Sequence, residues 1–195
     1  MDNEAAKGLL NLIALGNQSA FAELYQGMSR MVYAYVLNQL NNAAEAEEVM
    51  ADTLYDVWKS AAKFKGDSQV KTWVLGIARN KMLMKFRGRG ERHEDVDDFA
   101  ELIASDEPDA FAQMAGAQRQ AGVQNCLGKL ADEHRECLHL MFFEGYTLTE
   151  IGHIQKVPEG TVKSRLHHAR QKIKLCLANL LKAEGHTTIS PGAFA

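Results

Sequence analysis

Three groups of side chains in this 195-residue sequence could do chemistry. The first is His134-x-x-Cys137-x-His139, imidazole and thiol donors at a spacing that invites a metal ion. On a helix His134 and Cys137 share a side, but His139 points about 140° away from His134, so three donors cannot converge on one ion. Cys137, flanked by Leu138 and Leu140, reads instead as a small core residue. The second group is PEGTVKSRLHHAR at 158–170, where Lys163 and Arg165 could meet phosphate or guanine and Ser164 and His167 could read base edges. Its neighbours His167 and His168 diverge by about 100° on a helix and make no paired site. The third is a set of carboxylates, Glu45, Glu48, Asp52 and Asp56, which is either a solvated face or a surface that steers a basic partner. No phosphate-binding loop, nucleophile elbow or convergent carboxylate pair is present. No catalytic residue, metal, cofactor or small-molecule substrate is therefore expected.

Composition narrows the class. Hydrophobic content of 46% and charged content of 24% are ordinary for a globular chain, and the length suits two small cores. Net charge is −3, which argues against coating nucleic acid by bulk attraction. The charge is sorted into blocks, however. Residues 79–92 hold six bases and one acid, residues 94–109 hold eight acids and no base, and residues 156–174 hold six Lys/Arg against one Glu. Such blocks imply separate surfaces for separate partners. No apolar run nears the roughly 18 residues of a membrane span, and MDNEAAKGLL lacks the basic start of a secretory signal. Cys126, Cys137 and Cys176 are odd in number and widely spaced, so reduced thiols in a cytoplasmic protein are expected rather than a disulfide.

These groups need elements to hold them, and the periodicity is helical throughout. Phe21, Leu24, Tyr25, Met28, Val32, Tyr35 and Val36 form one stripe over 20–40. Asn42-x-x-Glu45 opens a second helix to about Lys59, burying Ala46, Val49, Met50, Thr53, Leu54 and Val57. Its other face carries Glu45, Glu48, Asp52, Tyr55, Asp56 and Lys59. After the loop KFKGDS a third helix, roughly 69–87, turns Val70, Trp73, Val74, Ile77 and Met84 inward. The stretch 88–109 has two glycines, a proline and dense like charge, and reads as a solvated tether with room for a short turn at Phe99–Ile103. Periodicity resumes near 111. There Thr147-x-x-Glu150 caps a short helix with Leu148, Ile151 and Ile154 inside. A turn and Pro158 follow, then a second helix with Val162, Leu166, Ala169 and Ile173 on one face. A dry inner stripe under a donor-rich outer face (Lys163, Ser164, His167, His168, Gln171) suits the major groove. The expected fold is all-α: two small helical domains joined by an acidic flexible linker.

VPEGTVKSRLHHAR resembles the recognition element in region 4 of the extracytoplasmic-function (ECF) sigma factors of bacterial RNA polymerase. AFAELYQGMSRMVYAYVL, AEAEEVMADTLYDVW and KFKGDSQVKTWVLGIARNKMLMKFR resemble successive parts of their region 2. The resemblance implies residues 1–87 as region 2, 88–110 as acidic linker, 111–184 as region 4 and 185–195 as a disordered tail. It implies a factor that binds core RNA polymerase, selects promoter DNA through minus-10 and minus-35 elements, and catalyses nothing. Polymerase docking would fall to Asp52, with Glu45, Glu48, Tyr55 and Asp56 around it. Phe64, Asp67, Ser68 and Asn80 would border a pocket for an unstacked minus-10 base, and Lys71, Arg79, Lys81, Lys85 and Arg87 would follow the strand. Glu159, Thr161, Lys163, Ser164, Arg165, His167, His168 and Arg170 would face the minus-35 duplex. The family often has Arg where this chain has His168, which makes base preference there dependent on an imidazole. An anti-sigma factor, often one anchored in the inner membrane, is the implied regulator. A stand-alone helix-turn-helix repressor or activator is the competing reading.

Overall fold

The protein is described by a computed structural model, which covers residues 1–89 and 122–183, with side chains for 1–86 and 122–180. Among these residues every regular element is helical. Residues 90–110 of the tether expected at 88–110, its turn at Phe99–Ile103 and the tail at 185–195 lie outside the described residues, while residues 88 and 89 are the end of the last helix of the region 2 segment. Contacts divide the chain into two units: residues 1–94 with 140–162, and residues 95–139 with 163–195. This grouping differs from a division at 111, because the short capped helix after Thr147 packs with the N-terminal helices.

The first unit opens with α1 (Asn3–Ala14), whose first turn is capped by the Asp2 carboxylate accepting from Ala5 N–H. It buries Ala6, Leu9, Leu10 and Ile13. α2 (Gln18–Leu40) is capped by Asn17 and ends at Asn41, whose left-handed backbone (φ 48°) closes the helix. Asn and Gly tolerate that conformation best. Its stripe buries Leu24, Met28, Val32, Tyr35 and Val36, while Tyr25 is exposed and Phe21 packs its ring edge on Trp58 at the rim. Asn42 caps α3 (Ala43–Ser60), which buries Ala46, Val49, Thr53, Leu54 and Val57, with Met50 half-buried. Thr53 Oγ1 donates back to Val49 O at 2.6 Å, so its hydroxyl is satisfied within the core. A single 3₁₀ turn (Ala61–Lys63) and a loop lead to α4 (Val70–Arg89). The Val70 N–H donates to Asn3 Oδ1 at 2.9 Å, tying the start of α4 to the start of the chain.

The inner stripe of α4 differs from the sequence expectation. Val70, Val74, Leu75, Ala78 and Met82 are buried, whereas Trp73 and Ile77 are half-buried and Met84 is 69% exposed. The reason is a second neighbour: α4 packs on α2 and α3 and also on α7 (Leu148–Gln155). Gly76 sits at that last contact, where an added Cβ would stand 3.9 Å from the His153 carbonyl oxygen. α7 carries the expected capping box: Thr147 Oγ1 accepts from Glu150 N–H, and Glu150 Oε2 accepts from Thr147 N–H at 2.9 Å.

In the second unit residues 122–128 are helical (α5). α6 (Asp132–Phe142) and α8 (Glu159–Ala183) each run across the division between the units. α8 spans 25 residues, so the recognition segment is the first half of a long helix rather than a short one. One expectation is overturned here. Cys126 and Cys176 are joined in a disulfide, their Cα atoms 5.7 Å apart across a separation of 50 residues. No spacing pattern announces it, because only the meeting of α5 and α8 brings the two within bonding range. Cys137 is a buried thiol outside that bond.

Candidate functional site

The acidic face of α3 forms as expected. Glu48, Asp52 and Tyr55 are exposed, and Glu45 and Asp56 are half-buried at its edges. Positions 48, 52 and 56 recur every fourth residue, which stacks the three carboxylates on one side of the helix. Tyr55 is 55% exposed and its ring is covered by Lys59 Nζ at 3.9 Å from the centroid. Among the described residues Asp52 makes no ion pair. Its two neighbours do: Asp56 Oδ2 lies 2.8 Å from Lys81 Nζ, and Glu48 Oε2 pairs with Lys85 Nζ.

The minus-10 candidates lie on the loop after the 3₁₀ turn and along α4. Phe64 is half-buried with its ring 5.3 Å from that of Trp73, so the two aromatics form one surface. Asp67 is exposed, and Ser68 Oγ donates weakly to Gln69 O at 3.3 Å. Asn80 stands ten residues along α4 from Val70, about 15 Å down the helix axis. The loop trio thus lies before α4 and Asn80 midway along it, on one unit. Lys71, Arg79, Lys81 and Lys85 are all half-buried on α4, and Arg87 falls beyond the described side chains. Lys71 is engaged within the first unit: its Nζ lies 3.9 Å from Glu150 Oε1 and 4.5 Å above the Tyr146 ring. Thr72 Oγ1 reaches the same Glu150 oxygen at 3.4 Å. Tyr146 itself is buried, and burial together with Glu144 and Glu150 raises its phenol well above the ordinary range.

The outer face of α8 carries Lys163, Ser164, His167, His168 and Arg170 exposed, with Thr161 and Arg165 half-buried. Val162, Leu166 and Ala169 are buried beneath them. Glu159 Oε2 accepts from Thr149 Oγ1 at 2.9 Å and so links the two helices of the motif. Gly152 makes the tight turn possible: a Cβ there would come 2.9 Å from the Val157 carbonyl oxygen. Lys156 turns the chain with a left-handed backbone, φ 56°.

The histidines differ from expectation. His167 and His168 meet edge to face at 5.8 Å, and His168 stacks on His134 of α6 at 6.2 Å with an interplanar angle of 14°. Burial lowers the His134 pKa first, then Lys172, Arg165 and His168, against a smaller opposing pull from Glu133. In the sequence His134 draws notice only as a rejected metal donor and Glu150 only as a cap, so neither the stacking on His168 nor the contacts to Lys71 and Thr72 are anticipated there. Their partners lie on other helices, and no local spacing points to them. Among the described residues no three His, Cys, Asp or Glu side chains gather as metal ligands, and no helix is long and apolar enough to cross a membrane.

The family described as Sigma-70 region 2 matches residues 24–92, and Sigma-70, region 4 matches residues 126–175. The chain belongs to the sigma-70 family of transcription initiation factors. Within that family it falls with the ECF RNA polymerase sigma factors. It is 28% identical to the ECF RNA polymerase sigma factor SigK of Mycobacterium tuberculosis over 172 residues, covering 87% of this chain and 91% of the relative. It is 27% identical to the RNA polymerase sigma-H factor of Pseudomonas aeruginosa over 190 residues, covering 93% and 98%. The fold is shared with CnrH, solved in complex with the cytosolic domain of CnrY, at a TM-score of 0.59, 24% identity and coverage of 92% and 99%. It is shared also with the sigma factor RpoE, solved with the anti-sigma factor NepR from Bartonella quintana, at a TM-score of 0.61, 22% identity and coverage of 80% and 96%.

Proposed function

We propose that this chain acts in the cytoplasm as an alternative sigma subunit with no catalytic activity of its own. It docks on core RNA polymerase through the carboxylate row of α3, opens a minus-10 element along the loop at 64–69 and α4, and reads a minus-35 element with the outer face of α8. Residues 1–87 and 111–184 serve as the two working modules and 88–110 as the tether between them. The observation that carries this is the pairing of opposite surfaces on one chain. Exposed Glu48 and Asp52 stand on α3, exposed Lys163, Ser164 and Arg170 stand on α8, and each lies inside a different matched region of the family. A net charge of −3 fits a factor whose affinity for DNA is largely supplied by the polymerase.

An anti-sigma factor as regulator follows from the same reading. The sigma factor RpoE, which shares this fold, was solved in complex with an anti-sigma factor, and a surface built to dock on polymerase is available for occlusion when the factor is alone. No observation favours a stand-alone helix-turn-helix regulator, for which the α3 face would have no task. Binding of a promoter duplex separates the two readings. The sigma reading expects negligible specific binding without core polymerase and tight binding with it. Tight specific binding by the isolated chain would contradict it.

A further inference from the structure

The α4 cations assigned to the promoter strand are not idle in this chain. Lys81 Nζ sits 2.8 Å from Asp56 Oδ2, Lys85 Nζ pairs with Glu48 Oε2, and Lys71 Nζ stands 3.9 Å from Glu150 Oε1. Two of these three carboxylates belong to the face assigned to polymerase. The pairs run in opposite order along the two helices, 48 to 85 and 56 to 81, which makes a two-rung ladder between α3 and α4. Asp52, between the rungs, is exposed and makes no ion pair among the described residues.

Resting on the function proposed above, we infer that this ladder is a charge lock that couples polymerase docking to strand binding. An ammonium paired with a carboxylate presents little net charge to a phosphate. In the isolated chain Glu48 and Asp56 therefore hold Lys85 and Lys81 away from DNA. A basic docking surface lands first on Asp52, whose charge is uncommitted, and then takes over Glu48 and Asp56. The two lysines lose their partners and turn to the strand. The lock is soft by construction. Side-chain exposure is 42% for Asp56 and 61% for Glu48, and pairs this open to water exchange partners at little cost. A competing row of cations is enough to open it.

The test uses the full chain without polymerase and fluorescein-labelled oligo(dT), with binding read by anisotropy across a salt series. E48Q/D56N removes both rungs. E23Q/E47Q removes the same net charge from exposed carboxylates that make no ion pair. The lock predicts that E48Q/D56N binds about fivefold more tightly than E23Q/E47Q, as expected for two part-exposed pairs. It also predicts a slope of log K against log salt steeper by about 1.4, the value for two cations released onto a single strand. Equal affinity and equal slope for the two variants would overturn the lock, with circular dichroism confirming that both are folded. Co-purification of the wild-type chain with core polymerase tests the underlying reading separately. If the chain does not associate, docking and the release step both fail, whatever the oligonucleotide arm shows.

Discussion

In the proposed function Asp52 is the residue on which docking would turn. It is exposed at the centre of the α3 face and its carboxylate is not committed to any cation, unlike Glu48 and Asp56 a turn to either side. Asp52→Lys should therefore abolish association with core polymerase, measured by co-purification, while the helical signal in circular dichroism is unchanged. An exposed substitution of this kind usually moves stability by no more than about 0.5 kcal/mol. Retained association would remove the docking assignment. Lys163 would play the corresponding part on α8. Lys163→Ala should weaken holoenzyme binding to a cognate minus-35 element by about 1–3 kcal/mol if the ammonium reads a guanine edge. An equal loss on cognate and scrambled elements would make it a phosphate contact instead. His134 gives a pH prediction. Its folded pKa lies below the ordinary value of 6.5, so the unfolded chain binds more protons between the two values. Stability contributed by neutral His134 is thus intact above about pH 6.5 and declines as pH falls toward its folded pKa. His134→Gln should flatten that acid-side slope in thermal melts, and an unchanged slope would assign it to another group.

At the scale of elements, the helix-turn-helix owes its shape to a few local devices. Thr147 and Glu150 satisfy each other's backbone at the start of α7, and Thr147→Ala should cost about 1 kcal/mol of stability. That cap was legible in the sequence because it is a four-residue pattern. So were α2, α3 and the first half of α8, whose apolar positions repeat at helical spacing over several turns. What was not legible depends on contacts between distant helices. Met84 looked inward only until α7 turned out to share α4, and Tyr25 looked buried only while α2 was considered alone. The same holds for the stacking of His134 on His168 and for Cys126–Cys176, 50 residues apart. The disulfide closes a loop across a separation of 50 residues, which removes about 4 kcal/mol of unfolded-state entropy. A dithiol reductant should therefore lower the unfolding midpoint, and Cys176→Ser should abolish that sensitivity. In a reducing cytoplasm the pair would rest as two adjacent thiols. A midpoint indifferent to reductant would mean the bond does not form.

For the whole molecule, the acidic and basic surfaces are complementary in sign and assigned to different partners. A net charge of −3 gives the chain little general attraction for DNA, and Lys81 and Lys85 of α4 are paired with its own carboxylates. In the function proposed above, polymerase would change both conditions, bringing DNA affinity and competing for the α3 face. Specificity would then reside in the two family regions, with the chain acting as a link between enzyme and promoter. Transcription in vitro with sigma-free core polymerase and a promoter library measures that link directly. The account predicts that adding the purified chain creates defined start sites downstream of a common pair of promoter elements. Transcripts no different from those of core polymerase alone would contradict it.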